Sequence, residues 1–218
     1  MNSDLIEWLG RRLLFFFMTV VAAACAFPGQ TKKEMIHTYV LNPEGAPAEG
    51  RGGPGKGASS VLLVNLPQAQ SGFDTERIAY LKRSHEVSYY AASEWTDPPA
   101  RMLAPLLVQA LERSHVWRTV VQMPSAVRGD YRLDSDHLTL AQEFFERPSR
   151  VRLTLRTQLI DLQHARPVGT KAFEILEEAP SEDAYGGVIA ANRAVAKLLE
   201  EVAVWVRDCT EADPRGAC

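Results

Sequence analysis

The 218-residue sequence predicts an α+β fold in a single domain: an antiparallel-rich mixed β-sheet with two long helices packed on it. Three observations carry that reading. Short runs of period-two alternation recur between Gly, Pro and polar turns. Two segments, one after Pro98-Pro99 and one after Ser181-Glu182-Asp183, change to a 3.6-residue apolar period. A hydrophobic content of 46% lets the chain bury a core of its own. A formal net charge of -3 with mixed signs gives no electrostatic case for nucleic acid as a partner.

At the N-terminus, Arg11-Arg12 precedes the apolar run Leu13 to Val21 and the small residues Ala22-Ala23-Ala24. This is the charged, apolar and small-residue pattern of a secretory signal, placed at residues 1–24. Its apolar run falls short of the roughly 20 residues a spanning helix needs; an uncleaved anchor is the alternative. The cysteine that follows resembles a bacterial lipobox, with Cys25 as the lipidated first residue of the mature protein and Ala22 standing where leucine or valine is commoner. Ala26 after it resembles lipoproteins released to the outer membrane. Several acyl chains, palmitate among them, hold a protein on a bilayer where one is marginal. Residues 25–34 then read as lipidated N-terminus and tether, with the folded domain at 35–208.

Met35 to Leu41 carries β-branched and aromatic residues enough for a first strand. Residues 42–60 are dominated by Gly, Pro, Ala and Ser and read as a flexible loop. Within it Gly50 to Lys56 fits the first seven places of a phosphate-binding loop, but Gly57 stands where Ser or Thr is required and no helix follows. Val61 to Leu66 is an apolar run buried on both faces of a sheet. Arg77–Lys82 and Glu86–Ala92 flank the turn Arg83-Ser84-His85 as a hairpin. Asp97 is placed to cap a helix opened by Pro98, with Leu103, Leu107 and Leu111 on its apolar face.

Val116 to Met123 is the next strand. From Tyr131 to Phe145 the apolar positions change from odd to even numbers, which places a bulge near Ser135 to His137. Beyond Arg147-Pro148-Ser149, Val151, Leu153, Leu155 and Leu159 alternate with Arg150, Arg152, Thr154, Arg156 and Gln158, a sheet with one wet side. If these two strands are neighbours, the shared face pairs Phe144 with Leu153 and Leu138 with Leu159. Val168 to Glu177 is a further strand. The last helix buries Val188, Ala191, Val195, Leu198, Leu199, Val202, Trp205 and Val206, and a tail at 209–218 carries Cys209 and Cys218.

Gly72-Phe73, Arg77-Ile78-Ala79-Tyr80, Tyr89-Tyr90 and Trp95-Thr96-Asp97-Pro98-Pro99, in that order and continued to Trp205, resemble the ABC-type transport auxiliary lipoprotein family, to which the paraquat-inducible protein C lipoproteins belong. The resemblance implies an outer-membrane-anchored periplasmic lipoprotein serving an ABC transporter with an MCE-domain or other periplasmic subunit. It would be a non-enzymatic docking or tunnel component of lipid transport, and a candidate homo-oligomer. The rival reading is a structural envelope lipoprotein that handles no lipid.

The residues themselves point away from catalysis. His37, His85, His115, His137 and His164 lack metal-ligand spacing, no serine can be matched to a base, and the pairs Glu177-Glu178 and Glu200-Glu201 fall on expected solvent faces. No catalytic residue, metal or cofactor is expected. Phe73, Tyr80, Tyr89, Tyr90 and Trp95 have two readings, packing at the sheet–helix junction or a partner surface. Cys209 and Cys218 are close enough in sequence to pair in an oxidising compartment or to remain two thiols.

Overall fold

The computed structural model describes residues 35–43, 59–211 and Cys218. Cys25, the leader and Gly50 to Lys56 lie outside the described residues. The chain divides into two compact units, Met1–Met35 and Ile36–Cys218, and the second holds every described strand and helix. These are β1 (His37–Tyr39), β2 (Val61–Val64), β3 (Arg77–Arg83), β4 (Glu86–Trp95), α1 (Pro99–Arg113), β5 (Thr119–Gln122), β6 (Tyr131–Glu143), β7 (Arg150–Asp161), β8 (Arg166–Glu178) and α2 (Ala184–Glu211). Among the described residues no helix is long and apolar enough to cross a membrane.

The sheet is organised on β6. One edge of β6 pairs with β7 along its length, and the other is shared: Tyr131 to Leu133 run parallel to β2, and Ala141 to Glu143 run parallel to β3. From there β2 leads to β5, β3 leads to β4 and β1, and β7 leads to β8. The long ladders, β6 with β7 and β7 with β8, are antiparallel, while the parallel ones are short. The two helices touch each other, α2 lying on β7 and β8 and α1 on β5 and β2.

The change of phase in β6 is a bulge between Asp136 and Thr139, where His137 takes a φ of 55°. Leu133 is buried before it and Leu138 and Leu140 after it, so one extra residue returns the apolar set to the same face. The expected register is not observed. Leu140 faces Leu153 and Leu133 faces Leu159, because Glu143 pairs with Arg150 across the loop at residues 144–149 and the bulge shifts the pairing by one; on the other edge the Phe144 N–H donates to the Leu81 carbonyl of β3. On the open face of the sheet the charges are paired: Arg152 bridges Glu143 and Glu174, and Arg156 holds Asp136.

Three further expectations are corrected. The helix α1 is not capped by Asp97; Pro98 occupies the cap with no side-chain bond, and its carbonyl accepts from the Arg101 N–H. Two successive prolines have no N–H groups to satisfy, so the usual demand for a cap is reduced. Glu177 is not on a solvent face: its side chain is 11% exposed and pairs with Arg193 and Lys197 of α2. Finally, α2 runs through to Glu211 where a tail was expected, because Val202, Trp205, Val206 and Cys209 extend the buried stripe at helical spacing.

The start of α2 is set by Asp183, whose Oδ1 accepts from the Gly186 N–H at 2.7 Å and from the Ser181 hydroxyl at 2.7 Å. The Gly186 and Ser181 bonds hold its carboxyl below the usual range against the opposing effect of burial, and the Tyr185 N–H adds to them. A depressed folded-state value means that this contribution is complete above the unfolded carboxylate pKa of about 3.9 and is lost as pH falls through the lower folded value. Asp183→Asn keeps an acceptor but cannot titrate. The acid limb of its Tm against pH profile should therefore be shallower than the wild type's, and an unchanged limb would show that Asp183 does not contribute to it.

Candidate functional site

The hairpin β3–β4 is linked through Gln142 to the start of α2, and that junction gathers Tyr39, Tyr80, Tyr90, Phe144 and Tyr185. Register pairs Ala79 with Tyr89 and Tyr80 with Ser88, so the adjacent Tyr89 and Tyr90 point to opposite faces. On the helix side, the Tyr80 and Tyr90 rings lie 4.8 Å apart and Phe144 meets Tyr80 edge-on at 6.0 Å. All three side chains are half-buried. Tyr39 and Tyr185 add a second aromatic pair at the same helix start, 6.1 Å between centroids, and Tyr185 is 58% exposed.

A chain of hydrogen bonds fixes this arrangement from beneath. The Tyr90 hydroxyl donates to Gln142 Oε1 at 2.8 Å, Gln142 Nε2 donates to Ser149 Oγ at 2.9 Å, and the Ser149 N–H donates to Glu182 Oε1 at 2.8 Å. Gln142 and Ser149 are buried, so each polar atom needs the partner it has. A side chain at Gly187 would collide with Gln142, and its absence lets α2 descend onto the network. Burial, then the nearby Asp183, Tyr80 and Glu182, push the Tyr90 hydroxyl far above the usual phenol range. The Tyr90 hydroxyl is thus held in its protonated form, as donor to Gln142.

The other members of the aromatic set separate from this cluster. On the opposite face the Tyr89 hydroxyl donates to the Gly72 carbonyl at 2.8 Å, and the Arg77 guanidinium stacks 3.8 Å above its ring. Gly72 takes a φ of 89°, a backbone shape suited to glycine. Phe73, next to it, is half-buried. Trp95 is 2% exposed and belongs to the core. At the far end of α2, Cys209 is bonded to Cys218.

Sequence reasoning did not single out Tyr39, Gln142, Phe144 and Tyr185 as part of this site. Gln142 could have been found: after the bulge it falls on the even-numbered row of Leu138 and Leu140, a polar residue on a core-facing row that demands partners. Tyr39 and Tyr185 meet only through long-range packing. The cluster offers flat apolar rings framed by fixed hydroxyls, which suits recognition of another surface.

A family model described as ABC-type transport auxiliary lipoprotein component matches residues 39–203, from the last residue of β1 through α1 and most of α2, and includes the whole aromatic junction. The chain belongs to this family. Among solved structures, this auxiliary lipoprotein is similar to a protein from Xanthomonas campestris at 22% identity, with a TM-score of 0.69 over 80% of this chain and 97% of that one. It is also similar to a hypothetical protein from Chlamydia trachomatis at 8% identity, with a TM-score of 0.50 over 72% of this chain and 100% of that one. At such identities the likeness is one of fold. The sequence has no significant match among curated proteins.

Proposed function

We propose that this auxiliary lipoprotein is held at the periplasmic face of the outer membrane by acyl chains on Cys25, and that it docks the MCE-domain or other periplasmic subunit of an ABC transporter that moves lipid between the two membranes. It acts as a non-enzymatic docking or tunnel-forming component, working as a homo-oligomer. The observation that carries the reading is the family match over residues 39–203, within which the half-exposed rings of Tyr80, Tyr90 and Phe144 and the exposed Tyr185 provide a surface for a partner. Tyrosine is favoured at interfaces because a large apolar ring and a polar tip are delivered with few rotamers to freeze.

Cell fractionation with intact-mass spectrometry tests the anchoring. Native protein should sediment with outer-membrane vesicles and carry acyl mass on Cys25, whereas Cys25→Ala should be soluble in the periplasm or retain its leader. An unmodified Cys25 in the native outer-membrane fraction would overturn the anchor.

A further inference from the structure

Along the helix-facing row of β8, Phe173 and Ile175 are buried at 2% and 6%, yet Gly169, which pairs with the fully buried Leu159, brings no side chain to the core. Its φ lies outside the left-handed region, so backbone freedom does not account for the glycine. Sulfur does. A Cβ at this position would lie 2.5 Å from Cys218 Sγ and 3.4 Å from Cys209 Sγ. Cys209 is on the buried stripe of α2 with 4% exposure, and its Cα is 5.4 Å from that of Cys218, an ordinary separation for bridged residues. Val168, whose carbonyl is 3.8 Å from Cys218 Sγ, packs against the same core.

We propose that the Cys209–Cys218 disulfide takes the place of a core side chain on β8, that Gly169 is the seat that makes room for it, and that packing between α2 and β8 is thereby made redox-sensitive. In the forming step the more exposed Cys218, as thiolate, attacks one sulfur of a disulfide-bearing oxidant. The oxidant's S–S bond breaks and one thiolate leaves. The Cys209 thiolate then attacks the Cys218 sulfur of the mixed disulfide and the second thiolate leaves. Two protein thiols have lost two electrons and two protons, and the oxidant has become a dithiol. A dithiol reductant reverses the sequence and withdraws the sulfur pair from its seat.

The test uses the full-length chain in four forms: wild type, Gly169→Ala, Cys209→Ala/Cys218→Ala, and the three substitutions together. Peptide mapping without reduction, in glutathione buffers of graded ratio, reads the 209–218 crosslink, and thermal unfolding reads stability. Gly169→Ala should shift the disulfide equilibrium toward thiols by on the order of tenfold and lower Tm when the cysteines are present. With both cysteines removed, the same substitution should be neutral or raise Tm, since the methyl group then enters freed space. A disulfide equilibrium within about twofold of wild type would overturn the proposal. So would an equal loss of Tm in both backgrounds, which would trace the effect to alanine in the strand itself. If Gly169→Ala does not fold with the cysteines present, folding of the triple variant supports the seat and its failure refutes it.

Discussion

Replacing Trp95 with alanine is expected to destabilise the protein by about 3–5 kcal/mol, the range for emptying a buried aromatic site. Trp95 ends β4 at 2% exposure, its N–H donates to the Glu76 carbonyl at 2.6 Å, and it lies opposite Tyr39 of β1, whose carbonyl accepts from the Thr96 N–H at 2.8 Å. The indole therefore sits where three things converge: the last residue of β4, the edge strand β1, and the Pro98-Pro99 entry to α1. Removing it leaves a cavity under all of them. In a chain of this size the loss should lower Tm by on the order of 10 °C. The neighbouring Asp97→Ala should cost under about 0.5 kcal/mol, because Asp97 caps nothing and makes only a solvent-exposed pair with Arg101. Equal costs for the two variants in urea unfolding would contradict this assignment.

The second large effect is expected on association. Tyr185 projects from the first turn of α2 at 58% exposure and meets the Tyr39 ring, so Tyr185→Ser removes surface without opening the core. If the aromatic junction is the docking surface, this substitution should weaken capture of the transporter's periplasmic subunit by about tenfold, as loss of an interface tyrosine commonly does, with Tm unchanged. A matched control is Val204→Ser on the same helix, an exposed apolar residue in its last third, which should leave capture intact. Equal capture by wild type and both variants would move the partner surface elsewhere on the molecule.

Which parts of this molecule could be read in advance follows from how local their causes are. The β3–β4 hairpin, the apolar row of β7 and the buried stripe of α2 are periodicities carried by neighbouring residues, and each occurs in the structure. The bulge near His137 was legible for the same reason, as a parity change within one strand. The pairing register across the β6–β7 turn was not, because Glu143 pairs with Arg150 across the loop at residues 144–149 and the bulge shifts the pairing by one, and alternation within a strand fixes neither loop length nor offset. The Asp97 cap failed because two prolines changed what the helix start required. Of the aromatic set, sequence grouped five residues that the fold divides among two faces and the core; Tyr39, Phe144 and Tyr185 join Tyr80 and Tyr90 only through tertiary packing.

Membership of the ABC-type transport auxiliary lipoprotein family leads to one decisive measurement, affinity capture of the full-length chain from its native cell envelope, under gentle detergent and with mass-spectrometric identification of what is retained. Recovery of an MCE-domain subunit together with its permease and ATPase, in amounts comparable to the bait, is the predicted result. Recovery of outer-membrane proteins alone, from bait that is folded and acylated, would contradict the transport role and leave a structural envelope lipoprotein in its place.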